Sequence, residues 1–294
     1  MAAIWVGELV MQSERINEGA EITDVMQSPL GSAIESRDRD TMKMVKEALA
    51  RKSVKLAFQP IVLAGDQTRV AFYEGLIRVL DETGRIIPAR EFIGAVENNE
   101  LGRIIDCLAL EQGLQILSED PNLRLSINMS ARSIGYPRWM ETLNFGTSGK
   151  PGVAERLILE ITEGSAMQMP ELVTGFMNNL QERGIAFALD DFGSGYTAFR
   201  YLKDFYFDAL KIDGVFIRDI AKNPDNQVLT RALVSIAQHF DMFTVAENVE
   251  TAEDAAFLAS IGVDCLQGYY FSAPTMMKPS DAQNLAAEYA GQAG

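Results

Sequence analysis

From about residue 38 onward the apolar positions switch spacing repeatedly. They recur every third or fourth residue, then form short continuous runs, then return to helical spacing. Met42, Val45, Ala48 and Leu49 predict a helix over 38–51. Runs rich in apolar and β-branched residues predict strands at 56–63, 69–77, 124–129, 157–162, 186–190, 209–212, 243–246 and 265–271. Helical patterns fall at 88–98, 101–118, 170–183, 225–240 and 252–260. The punctuation agrees: Pro170 opens a helix that Gly184 closes, and Thr251 can cap one that Gly262 closes.

Short apolar strands separated by helices read as parallel strands covered on both faces. About eight of them in ~250 residues predict an α/β fold, a TIM-like (β/α)8 barrel. Only a few residues, around Gly65 and Asp66, separate the first two strands. A helical crossover does not fit there, so the barrel should carry one antiparallel strand near its start. A doubly wound open sheet is the alternative, and both architectures gather ligands at C-terminal strand ends. Residues 1–36 lack a sustained period and read as an N-terminal extension, partly helical or flexible. The barrel domain is then expected at 37–294.

The net charge of −15 over 294 residues argues against a DNA- or RNA-polymer binder, which would carry a basic footprint. A small anionic substrate stays open, because bound cations reverse the local sign. Cys107 and Cys265, the two cysteines, lie far apart and outside any CxxC pair, so both are expected in the core. The single histidine, His239, excludes chemistry that needs two imidazoles. No stretch approaches the ~20 apolar residues of a membrane span, and the start does not read as a signal peptide. A cytoplasmic protein without a membrane partner is the expectation.

Asp190 and Asp191 stand side by side at the end of an apolar run, before the Gly-rich 192–195 turn. Like charges this close raise each other's pKa unless a cation sits between them. A divalent metal is the simplest such cation. Other polar groups also follow apolar stretches: Glu74, Asn128 in SINMS, Glu160 and Glu163 in LEITE, Lys211 in LKID, Glu247 and Glu250 in AENVET, and Gln267 in QGYYF. Oxygen ligands without histidine favour Mg2+ or Mn2+ over zinc or copper. Two such ions can clamp an in-line displacement at phosphorus and lower the pKa of a bound water. Lys211 among so many acids should stay cationic and can orient that water. Read singly, each residue has an ordinary explanation. Glu74 or Glu250 would be a solvated acid, Asn128 a turn or cap residue, and Lys211 half of a common ion pair.

Together, over 38–280, these motifs resemble the EAL-domain family, phosphodiesterases that open cyclic di-GMP. The resemblance implies that Glu74, Asn128, Glu160, Asp190, Asp191 and Glu247 ligate two divalent ions, Mg2+ or Mn2+. It makes Lys211, Glu74 and Glu247 catalytic, with Glu163 bracing the loop after Asp191. Gln59 of the QPI motif, Leu76, Arg78 and Asp213 match its substrate-contacting positions, and Glu250 and Gln267 complete the site. The product would be linear pGpG. An inactive cyclic di-GMP receptor or a protein-interaction module on the same fold is the alternative. A phosphohydrolase for another nucleotide is a third reading. Two positions depart from the family pattern: Gly75 stands where Ala is usual, and Asn248 where Gly is usual. Asn tolerates left-handed backbone, so the second turn should survive. The resemblance also implies a homodimer near the Asp191–Phe207 segment. Six aromatics in its last twelve residues, 196–207, fit that expectation: Tyr196, Phe199, Tyr201, Phe205, Tyr206 and Phe207.

Overall fold

The computed structural model describes residues 29–193 and 202–282. The first elements are α1 (Pro29–Ala50), β1 (Val54–Leu63), β2 (Asp66–Leu80), β3 (Ile86–Pro88), α2 (Ile93–Val96) and α3 (Glu100–Glu119). Then come β4 (Leu125–Asn128), α4 (Pro137–Thr147), β5 (Leu157–Thr162), α5 (Glu163–Gln168), α6 (Pro170–Gln181) and β6 (Ala186–Phe192). The last are β7 (Ala209–Ile212), α7 (Gly214–Ile217), α8 (Pro224–His239), β8 (Phe243–Ala246), α9 (Ala252–Ser260) and β9 (Cys265–Leu266). Among the described residues two compact units form: 29–55 with 77–105, and 56–76 with 106–193 and 202–282.

In the first unit α1 begins at Pro29, earlier than the helix expected from 38. The helix expected at 88–98 is a correction. That stretch contains β3, which pairs antiparallel with the end of β2 through Val79↔Ile87, then a 3-10 turn and the four-residue α2. Pro88 is extended at φ −72°, ψ 153°, and Phe92 at φ −131° breaks the helix again. Phe92 and Val96 are both buried, which is why the apolar spacing imitated one long helix.

The second unit is the (β/α)8 barrel. Its strand order is β1-β9-β8-β7-β6-β5-β4-β2, and a β1–β2 pairing closes the ring. Strands β4 to β9 pair in parallel, as do β2 and β4. β1 runs antiparallel to β9, with Val62 opposite Leu266. The short connection at Gly65 thus produces the one reversed barrel strand. β9 is a further correction, two residues where seven were expected. Gly268 follows it so closely against the Val249 backbone that any side chain there would collide.

Alternation along each strand separates two environments. Leu125, Ile127, Leu157, Leu159, Ile161, Phe187, Leu189, Leu210 and Ile212 are buried on one face. The intervening positions carry Ser126, Asn128, Glu160, Ala188, Asp190 and Lys211. Strand register brings these polar positions side by side: Glu74 pairs with Ser126 and Asn128 with Glu160. Both cysteines are buried, and burial pushes the thiols up to about 12 for Cys107 and about 11 for Cys265. No helix among the described residues is long and apolar enough to cross a membrane.

Candidate active site

Lys211 is the centre of the polar cluster. It projects from β7, is 1% exposed, and is surrounded by acids from β2, β5, β6 and the turn after β8. Its Nζ lies 2.8 Å from Glu160, 2.8 Å from Glu247, 2.9 Å from Asp190 and 3.5 Å from Glu74. Burial would lower the ammonium's pKa, but the carboxylates of Asp190, Glu160, Glu247 and Glu74 outweigh it and hold the group cationic.

Glu74 accepts hydrogen bonds at both carboxylate oxygens. Asn128 Nδ2 donates to its Oε1 at 2.8 Å, and Gln267 Nε2 donates to its Oε2 at 2.6 Å. Gln267 also donates to Gln59 Oε1 at 3.1 Å, and Gln59 Nε2 donates to the Ser272 carbonyl at 3.1 Å. Burial pushes Glu74 upward, yet Lys211 and these donors leave its carboxyl below the usual range. The other acids move the opposite way. Burial, with Asp190 and Glu74 nearby, raises Glu247 to about 8 despite Lys211. Burial also raises Glu160 well above its ordinary value.

Adjacent side chains on a regular strand point to opposite faces, so Asp190 and Asp191 should diverge. A β-bulge prevents this. The register of β6 on β7 shifts between Leu189 and Phe192, and Asp191 adopts left-handed backbone at φ 55°. One carboxylate oxygen from each of Asp190, Asp191 and Glu247 consequently lies within 4.8 Å of the others. Burial, then Asp190 and Asp213, push Asp191 up to about 6.

Glu163 opens α5 and is buried. Its Oε2 accepts the Gly193 N–H at 3.0 Å, the contact expected of a brace for the Asp190–Asp191 loop. Asp213 caps α7, accepting the Val215 N–H at 2.6 Å. Leu76 and Arg78 follow Glu74 at two-residue steps on β2, and both are half-buried. Arg78 Nη1 donates to the Ile77 carbonyl at 2.9 Å. Glu250 is exposed and stands apart from the hydrogen bonds around Lys211.

The two unusual residues both fit their surroundings. Asn248 does take left-handed backbone, at φ 54°. At Gly75 a Cβ would come within 2.7 Å of Ile127 Cδ1, so the missing methyl leaves no void. Three of the six aromatics expected at a dimer contact, Tyr196, Phe199 and Tyr201, lie outside the described residues. Phe205 and Phe207 are core residues, each 4% exposed and packed on one another at 5.4 Å, a correction to the idea of six interface rings. Only Tyr206, at 66%, is exposed among the three that are described.

One structural residue carried no motif in the sequence. Asp106 of α3 is buried and accepts hydrogen bonds from the Ser130 N–H and the Ser133 hydroxyl. Burial pushes its carboxyl up to about 6. The available signal was an acid inside a stretch where Ile104, Ile105, Cys107, Ala109 and Leu110 are all buried.

The EAL domain family model matches residues 42–274. The chain belongs to the EAL domain family. It is 30% identical over 241 residues to the cyclic di-GMP phosphodiesterase PdeR of Escherichia coli, covering 78% of this chain and 35% of that protein. It is 32% identical over 238 residues to the cyclic di-GMP phosphodiesterase PdeF of the same organism, covering 79% and 31%. The chain thus matches about a third of the length of these relatives. Among solved EAL structures, the FimX EAL domain of Pseudomonas aeruginosa bound to c-di-GMP superposes with a TM-score of 0.74 at 25% identity. That match covers 81% of this chain and 98% of FimX's. The PaMucR phosphodiesterase in complex with c-di-GMP gives 0.74 at 26% identity, covering 80% and 97%.

Proposed function

We propose that this EAL domain hydrolyses one phosphodiester bond of cyclic di-GMP, giving linear pGpG, with two divalent ions, Mg2+ or Mn2+. The observation that carries the reading is the charge imbalance around Lys211. One ammonium faces four carboxylates, with Asp191 beside them. An ammonium has three protons to donate, so it cannot satisfy this many acids. Buried Glu160 Oε1 makes no hydrogen bond among the described residues. An all-oxygen donor set with excess negative charge fits hard divalent cations.

Glu74, Asn128, Glu160, Asp190, Asp191 and Glu247 would hold the ions. When bound, such a pair neutralises charge developing at phosphorus and makes water acidic enough to react near neutrality. The chain's own residues do the rest. With ions sharing the carboxylates that Lys211 now faces, one of its three N–H groups would be released to donate to the attacking water. Gln267 and Asn128 fix both oxygens of Glu74. Glu163 holds the turn at Gly193. Gln59, Leu76, Arg78 and Asp213, with Glu250 at the margin, are the residues we assign to the dinucleotide. Water's oxygen forms the new P–O bond, and a ribose oxygen leaves with a proton.

The test is pGpG formation from cyclic di-GMP with Mg2+ or Mn2+, alongside Asp190→Asn checked for folding. Turnover that disappears in the variant supports the reading. Binding of cyclic di-GMP without turnover by the wild type would replace it with that of a receptor.

A further inference from the structure

Three consecutive backbone N–H groups follow Asn128, and each is held by a different element. Met129 donates to the Glu160 carbonyl at 2.9 Å. Ser130 donates to Asp106 Oδ2 at 3.0 Å. Ala131 donates to Ser165 Oγ at 2.8 Å. The Ser133 hydroxyl adds a second bond to Asp106 Oδ2, at 2.5 Å. Loop N–H groups need a partner, and here side chains from α3 and α5 supply it.

Asp106 is 8% exposed and lies between buried Ile105 and Cys107. A carboxylate at such a position is unfavourable unless hydrogen bonds offset its burial. An apolar residue would pack there more cheaply, so packing does not explain an acid. The bonds it accepts all come from the segment that follows Asn128.

Ser165 extends the connection. Its own N–H donates to Thr162 Oγ1 at 3.3 Å, in the cap of α5. The same turn carries Glu163, which holds the Gly193 N–H. The segments after β4, β5 and β6 are therefore joined by side-chain-to-backbone bonds. Those three strands carry Asn128, Glu160 and the Asp190–Asp191 pair. Neither Asp106 nor Ser165 is itself among the proposed ligands.

We propose that Asp106 and Ser165 are positioning residues of this active site. They set the segment after β4, and with it the Asn128 amide, against the Glu163 brace of the Asp190–Asp191 loop. The inference rests on the reading that Asn128, Asp190 and Asp191 hold divalent ions.

Calorimetric titration with Mn2+, kcat and KM for cyclic di-GMP, and thermal unfolding test it in the full chain. The variants are Ser165→Ala, Ser165→Thr, Asp106→Ala and Asp106→Asn. The two Ala variants weaken Mn2+ binding about 10-fold, the usual effect of losing a residue that orients a ligand, and lower kcat more than they raise KM. The Thr and Asn variants retain an acceptor oxygen and stay near wild type. If Asp106→Ala fails to fold, the Ser165 pair carries the comparison, since it removes one half-buried hydroxyl. Folded Ala variants with wild-type Mn2+ affinity and a lower melting temperature overturn the proposal, as does equal weakening in Ser165→Thr. A wild type that binds Mn2+ without turning over cyclic di-GMP removes the phosphodiesterase reading but leaves the affinity comparison intact. A wild type that binds no Mn2+ removes the positioning proposal.

Discussion

The side chain of Asn248 occupies the space that a side chain at position 214 would need. A Cβ on Gly214 would fall within 2.7 Å of both Asn248 Cβ and Cγ. The turn after β8, which begins with Glu247, thereby packs directly on the turn after β7, which begins with Asp213. Gly214→Ala should lower stability by about 1–3 kcal/mol through overpacking. Asn248→Gly in the same chain should relieve most of that loss. Thermal unfolding of the four proteins in a double-mutant cycle measures the coupling, expected at about 1 kcal/mol or more. Simple additivity would show that the two residues do not compete for space.

Glu74 and Lys211 should fail in different ways. Glu74→Ala removes an oxygen donor, so excess Mn2+ should restore part of the lost turnover. Lys211→Ala removes the donor that orients water, so its loss, expected at about 100-fold or more, should not respond to added metal. Turnover across a Mn2+ series separates them. Equal rescue of both would remove the distinction.

The metal-free protein should lose stability as pH rises. Asp106 and Asp191 sit near 6 and Glu247 near 8 in the folded chain, all above their ordinary values. A carboxyl with a raised folded pKa binds its proton more tightly in the native state. Its stabilising contribution is full below the unfolded value and disappears as pH passes the folded value. Glu74, whose carboxyl is lowered by Lys211 and its hydrogen-bond donors despite burial, acts in the opposite sense. The melting temperature in chelator should therefore fall between about pH 5 and about pH 8.5. Saturating Mn2+ should flatten or reverse the slope, because cations bind the ionised acids. Parallel slopes with and without Mn2+ would contradict this account.

Gly193 and Glu163 should show the brace directly. Gly193 lies at φ 96°, and a Cβ there would come within 2.5 Å of Phe216. Glu163→Gln keeps an acceptor for the Gly193 N–H, whereas Glu163→Ala does not. The Ala variant should weaken Mn2+ or substrate binding several-fold, and the Gln variant should lie closer to wild type. A crystal structure of Glu163→Ala with the loop unchanged and full metal occupancy would refute the role.

A homodimer near the Asp191–Phe207 segment remains our expectation, but Tyr206 is the residue to test. Phe205 and Phe207 are buried, so changing either perturbs the core. Sedimentation at micromolar concentration should give a dimer for wild type and a weaker one for Tyr206→Ser. A monomeric, fully active wild type would end the claim.

The sequence made some elements readable and hid others for physical reasons. β5, β7 and β8 keep the bounds expected from their apolar runs. α4 was not expected, although Trp139, Leu143 and Gly146 line its buried face. Gly146 interrupts the apolar pattern because it lies against Leu114; a Cβ there would come within 2.5 Å of Leu114 Cδ1. Such a contact is tertiary and leaves no mark on local spacing. The acids around Lys211 could be named from their motifs. Their convergence could not, because the bulge at Asp190–Asp191 depends on the register between β6 and β7. Asp106 was equally hidden, since its partners Ser130 and Ser133 come from a distant loop.

Lys211 also bears on the order in which this protein is made and loaded. Its ammonium lies within 3.5 Å of four acids from β2, β5, β6 and the turn after β8, so the barrel carries a resident positive charge amid this acidic cluster. A newly synthesised chain can then close the ring and bury these carboxylates before any ion arrives. Small zinc domains behave differently, because they cannot fold until their metal is supplied. On the proposed two-ion reading, ion binding would be separate from folding, and a chelator should abolish turnover without unfolding the chain.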